Sequence, residues 1–158
     1  MCDGLITVVG PDQWRPFIHV RDLARAIAAT LQAPPEIVQS QIFNVGDKRL
    51  NLTILQLAQR VQAVVSSRRP VEISVTENPQ DRRNYAVSFD KIRSILGFQA
   101  ATMIEEGVQE MAAQFEAGTH KNYRSSEYSN VEMTARALTD FQDPWNMSHL
   151  YAPLRTTT

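Results

Sequence analysis

The sequence predicts a mixed α/β domain, on three observations. Short β-branched runs alternate with stretches whose apolar residues recur at helical spacing. Two capping signals, Thr53 with Gln56 and Thr102 with Glu105, each stand just before such a stretch. The chain has 158 residues, 43% of them apolar, enough for one ordinary core.

Leu5 to Val9 is the first strand candidate, stopped by Gly10 and Pro11. Phe17 to Val20 is a second, and the two are expected to pair as a small hairpin beside Arg15. Asp22 is placed to cap a helix carrying Leu23, Ala26, Ile27, Thr30 and Leu31, which Pro34 and Pro35 end. Gln41 to Val45 reads as a buried strand, followed by a turn at Gly46 and Asp47. The Thr53 capping box opens a helix with Ile54, Leu57, Ala58 and Val61 on one face.

Val71, Ile73 and Val75 then alternate as a strand, completing a parallel βαβ reading with Ile42 to Val45. Tyr85 and Val87 extend a short strand before Ser88, a cap for a helix that ends at Gly97. The Thr102 capping box opens a helix with Ile104, Val108, Met111 and Phe115, stopped by Gly118. Gly107 inside it costs about 1 kcal/mol against alanine, which points to close packing or a kink. Residues 1–118 are expected to form the main body, and residues 119–158 an irregular tail with a short helix from Val131 to Leu138.

A formal charge of −1, from 16 basic and 17 acidic side chains, provides no global attraction to nucleic acid or to a membrane, and neither is expected as a partner. The first residues lack the pattern of a secretory leader, and no run has transmembrane length. A single cysteine fits a reducing compartment, so a cytoplasmic location is expected. Cys2 has no fixed base beside it, and the three separated histidines make no metal pattern, so neither a nucleophile nor a metal site is expected.

Several spaced blocks carry a resemblance: Arg15 to Asp22, Phe43 to Gly46, Asn51 to Ala58, Asp81 to Tyr85, Ser88 to Ile92, Leu96 to Phe98, Thr102 to Gly107 and Tyr128 to Asn130. In this order they resemble the carboxyl-terminal part of the extended short-chain dehydrogenase/reductase family, particularly NAD-dependent nucleotide-sugar epimerases and dehydratases. The resemblance covers roughly residues 5–130 and implies an incomplete Rossmann-type α/β fold, the carboxyl-terminal substrate-binding portion. In the intact family enzymes the preceding part holds NAD or NADP in a glycine-rich loop and carries a Tyr-x-x-x-Lys pair for proton transfer. Here Gly10, Gly46 and Gly97 are isolated, and Phe89 stands four positions after Tyr85. This chain alone is therefore expected to bind no cofactor and to supply no catalytic residue.

What the resemblance does imply is substrate binding. Arginines in the first and fourth blocks clamp the diphosphate of the sugar nucleotide, and the guanidinium's rigid fork suits phosphate oxygens. Arg15 and Arg83 are the candidates, with Arg82 as the alternative register for the second. Trp14 is placed to cover a base or sugar, or else to anchor packing. Asn44 is placed to orient ligand or backbone groups at a strand end. His19 is expected to satisfy a local hydrogen bond, and Asp81 to orient Arg83 or a turn. The expected function is the nucleotide-sugar-binding portion of an epimerase or dehydratase, inactive alone, partnered by an amino-terminal catalytic half or a second copy. The alternative is a non-catalytic sugar-nucleotide-binding or protein-interaction module.

Overall fold

Among the described residues four short strands form two separate pairs, and their partners are not the ones sequence spacing suggests. The computed structural model describes residues 4–77, 83–120 and 122–140. Strand β1 (Leu5–Val9) pairs in parallel with β4 (Glu72–Thr76), with Val8 opposite Val75. The anticipated hairpin between β1 and Phe17–Val20 does not form. Gly10, at φ 68°, turns the chain out of β1 into a tight bend closed by the Gln13 N–H donating to the Gly10 carbonyl at 3.2 Å. The left-handed backbone there suits glycine. The chain re-emerges as β2 (Trp14–Pro16), antiparallel to β3 (Asn51–Thr53), with Trp14 opposite Thr53 and Arg15 opposite Leu52.

Helix α1 (Val20–Gln32) begins three residues earlier than Asp22 as its cap predicts. Its cap is His19, whose Nδ1 accepts from the Arg21 N–H at 3.2 Å, the local bond expected of this histidine. Asp22 sits in the first turn and does something else. It is 1% exposed, and its Oδ2 accepts from the N–H groups of Ala101 and Thr102 at 3.0 and 2.7 Å, while Oδ1 accepts from Arg25 at 2.6 Å. The second capping box is lost for the same reason: Thr102 is taken by Asp22, and the helix it was to open begins after Met103 without a side-chain cap.

Ala26 of α1 joins Phe89, Ile92 and Phe98 in a buried cluster. The remaining apolar residues of α1 stay outside it: Val20, Leu23, Ile27 and Leu31 form an exposed stripe at helical spacing. Beyond the short α2 (Pro35–Val38), residues 41–45 form no strand, and Ile42 is 83% exposed. The expected βαβ unit therefore fails at its first strand. Among the described residues no strand lies beside this segment, and the parallel partner of β4 is β1.

Helix α3 (Ile54–Val65) realises its capping box in full, with Gln56 N–H bonded to Thr53 Oγ1 at 3.1 Å and Thr53 N–H to Gln56 Oε1 at 2.9 Å. The next two N–H groups, Ile54 and Leu55, donate to the carbonyls of Gln13 and Pro11 at 3.0 and 3.1 Å. All four donors that a helix start leaves without an intrahelical partner are thus satisfied. Residues 85–87, expected as a strand, are assigned to no sheet. Asn51 acts as their neighbour, its amide accepting from Val87 N–H at 3.1 Å and donating to Val87 O at 2.8 Å.

Helix α4 (Asp90–Leu96) follows Phe89, and Ser88 bonds the Asp90 N–H at 3.3 Å from just outside; Gly97 ends the helix at φ 61°. In α5 (Ile104–Glu116) the close-packing reading of Gly107 is the observed one, since a Cβ there would lie 3.3 Å from the His19 ring. The chain divides into two compact units between Ala117 and Gly118. The second holds a 3-10 turn (Ser126–Tyr128) and α6 (Asn130–Asp140), with Arg136 bonded to Ser126 Oγ at 2.7 Å. Cys2, Asp81, Arg82, His149, Trp145 and Tyr151 lie outside the described residues.

Candidate functional site

Three of the four candidate residues meet at one corner. Strand β2 presents Trp14 and Arg15, and the segment 83–85 runs along it, held by Trp14 N–H to Asn84 Oδ1 at 2.9 Å and Tyr85 N–H to Trp14 O at 3.4 Å. The half-buried Arg15 binds across this seam. Its Nη1 donates to the carbonyls of Trp14 and Arg83, at 2.7 and 2.5 Å, and its Nη2 to Gln13 Oε1 at 3.0 Å. The guanidinium also lies 5.4 Å from the centre of the Tyr85 ring, a cation–π arrangement. The Tyr85 ring thus covers one side of the arginine, and at 39% and 47% exposed Trp14 and Tyr85 both keep surface open to a ligand.

The structure thus places the Arg15 side chain against the Arg83 backbone, with the Arg83 side chain exposed. Asn44 is not brought to this corner by its hydrogen bonding; its Nδ2 donates to Ser88 O at 3.3 Å, tying the 41–45 segment to the start of α4. Gln13, Asn84 and Tyr85 were missed as site residues. Tyr85 and Asn84 lie within the Asp81 to Tyr85 block, and Gln13 two positions before Arg15, so proximity to the arginines was the available signal.

Among the described residues two clefts lie elsewhere on the first unit. One, of about 470 Å³, is mainly apolar and runs between α3, α5 and residues 17–20. The other, of about 340 Å³, runs beside Asp47, Lys48, Asp90 and Arg93. Asp47 there accepts from Arg49 Nε at 2.8 Å and from Gln99 Nε2 at 2.7 Å. The Arg49 bond, against the opposing effect of burial, holds its carboxyl far below the usual carboxylate range. Gly46 borders the same cleft, and a Cβ on it would fall 2.7 Å from Cε1 of the buried Phe89. Gly46→Ala should therefore cost about 1–3 kcal/mol by displacing that ring; an unchanged melting temperature would show that Phe89 yields freely.

The fold is that of Rossmann-type short-chain dehydrogenase/reductases over part of their length. A short-chain dehydrogenase/reductase superfamily protein from Agrobacterium tumefaciens, solved with bound NAD, matches with a TM-score of 0.59 at 20% identity, over 75% of this chain and 35% of that one. UDP-glucose 4-epimerase from Bifidobacterium longum, solved with NAD+ and UDP, matches with a TM-score of 0.50 at 19% identity, over 65% and 32%.

In sequence, residues 4–46 match the NAD dependent epimerase/dehydratase family. A dTDP-glucose 4,6-dehydratase from Shigella flexneri is 28% identical over 127 residues, 75% of this chain and 34% of the relative. The chain is thus similar in sequence to NAD-dependent epimerase/dehydratase proteins and in fold to short-chain dehydrogenase/reductases, and it spans about a third of the length of the curated relatives it matches.

The glycines of the described residues do not fit a dinucleotide. A pyrophosphate is cradled where a glycine-rich turn joins a strand to a helix N-terminus. Gly10 leads from β1 into β2, Gly46 packs under Phe89, Gly97 ends α4, and Gly107 faces His19. Among the described residues no cluster of three or more His, Cys, Asp or Glu is placed to hold a metal, and no helix is long and apolar enough to cross a membrane.

Proposed function

We propose that this chain is the substrate-binding portion of an NAD-dependent nucleotide-sugar epimerase or dehydratase, and that the Arg15 corner receives the ligand's diphosphate. The observation that supports this is the bond from Arg15 to the Arg83 carbonyl, which joins two sequence-distant arginine segments beside Trp14 and Tyr85. Guanidinium groups suit phosphate oxygens, and a flanking aromatic face suits a base or sugar. NAD bound in the intact enzyme would supply hydride transfer to and from the sugar, with a tyrosine there handling the proton. This chain's part is to bind and orient the nucleotide sugar.

Calorimetric titration with UDP-glucose, dTDP-glucose and NAD tests the reading. Binding of a nucleotide sugar and not of NAD is the expected result. Failure to bind either nucleotide sugar would overturn it. One observation favours a second reading, contact with another protein surface: the exposed stripe of Val20, Leu23, Ile27 and Leu31 on α1. An amino-terminal half of the same enzyme, or a second copy of this chain, would be the partner.

A further inference from the structure

We propose that Gln13 is a positioning residue for Arg15, seated by Gly10 and held in register by the start of α3. The part concerning ligand binding rests on the diphosphate reading above. Three observations carry the positioning itself.

First, Gln13 Oε1 accepts from Arg15 Nη2 at 3.0 Å in a half-buried contact. With Nη1 bonded to the carbonyls of Trp14 and Arg83, this third acceptor lies on the other terminal nitrogen, so the planar group is held from two directions and its rotation is restricted. Second, the backbone of Gln13 is itself held. Its N–H closes the turn onto Gly10 O, and its carbonyl accepts from Ile54 N–H at 3.0 Å, where the capped helix α3 begins. A side chain anchored on such a turn keeps its amide in one place. Third, space for that amide exists only because residue 10 has no side chain. A Cβ on Gly10 would lie 2.7 Å from Gln13 Cδ and 2.9 Å from Oε1.

The chain of cause runs from a glycine in left-handed backbone, through the glutamine amide lying on it, to the orientation of the arginine fork. Orientation matters here because a guanidinium gains most from phosphate when its N–H bonds are aimed as a pair. Methionine in place of glutamine keeps length and bulk and removes the acceptor, so it separates positioning from packing.

The test uses the full chain and four proteins: wild type, Gln13→Met, Arg15→Met and the double variant. In nitrogen NMR, the Arg15 guanidinium signal, assigned by its absence from Arg15→Met, should show hindered rotation in wild type and freer rotation in Gln13→Met. In titrations with UDP and dTDP, Gln13→Met should bind about 3- to 10-fold more weakly, the worth of one hydrogen bond. It should cause no further loss in the Arg15→Met background.

Unchanged guanidinium rotation in Gln13→Met would overturn the proposal, as would an equal loss of affinity with and without Arg15. Freed rotation in Gln13→Met with no nucleotide binding by wild type would support the positioning role and remove the diphosphate reading instead.

Discussion

Asp22→Asn is expected to cost about 2–4 kcal/mol of unfolding free energy. The carboxylate serves donors on both oxygens: Ala101 and Thr102 N–H at Oδ2, and Arg25 at Oδ1. Asparagine has one acceptor and one donor, so in either orientation its NH2 faces a donor. Burial alone would raise the Asp22 pKa, but the Thr102 N–H, Arg25 and the remaining hydrogen bonds together hold it below its ordinary value of 3.8. A carboxyl with a depressed folded-state pKa contributes stability that is fully present above the unfolded value and is lost as pH falls through the folded one. Urea unfolding of the wild type should therefore weaken below about pH 4, and Asp22→Asn should lack this share of the fall. Superimposable unfolding curves at pH 7 would refute the role assigned to Asp22.

Arg15→Ala is expected to weaken binding of UDP or dTDP by about 10- to 100-fold, the range of a charge-assisted hydrogen bond. Arg15→Lys should fall between wild type and alanine, because an ammonium keeps the charge and loses the fork. Loss of fold is a poor competing explanation. Segment 83–85 keeps its bonds from Trp14 N–H to Asn84 and from Tyr85 N–H to Trp14 O. Titration calorimetry on variants with matched melting temperatures measures the effect, and affinity within twofold of wild type for Arg15→Ala would remove Arg15 from the site.

What the sequence made legible was local. The Thr53 and Gln56 capping box, the glycine stop at Gly97 and the first and last strands depend on residues within a few positions of one another, and each is found in place. Strand partners were not legible. Whether β4 lies beside β1 or beside residues 41–45 is decided by tertiary packing, which apolar alternation does not encode. Asp22 was misread for the same reason. Beside an apolar helical run it has the appearance of a cap, whereas the backbone N–H groups it accepts from are 79 and 80 positions away.

The Tyr85 to Val87 strand failed because a side chain, Asn51, occupies the place of the neighbouring strand and meets the backbone's hydrogen-bonding needs. At the candidate site, Arg15 and Arg83 stood out through the blocks that carry them. The seam joining them, and the glutamine beside Arg15, required coordinates.

The sealed start of α3 has a consequence for the nature of the corner. A helix N-terminus often binds anions through its open N–H groups, and this one lies opposite β2, with Thr53 facing Trp14. Its four donors are already engaged by Gln56, Gln13, Pro11 and Thr53, so none remains to hold a phosphate. Attraction for a diphosphate must then come from guanidinium charge and not from a cradle of backbone amides. Affinity at this corner should accordingly decline steeply as ionic strength rises, the behaviour of a partly exposed charge pair and not of a buried amide nest.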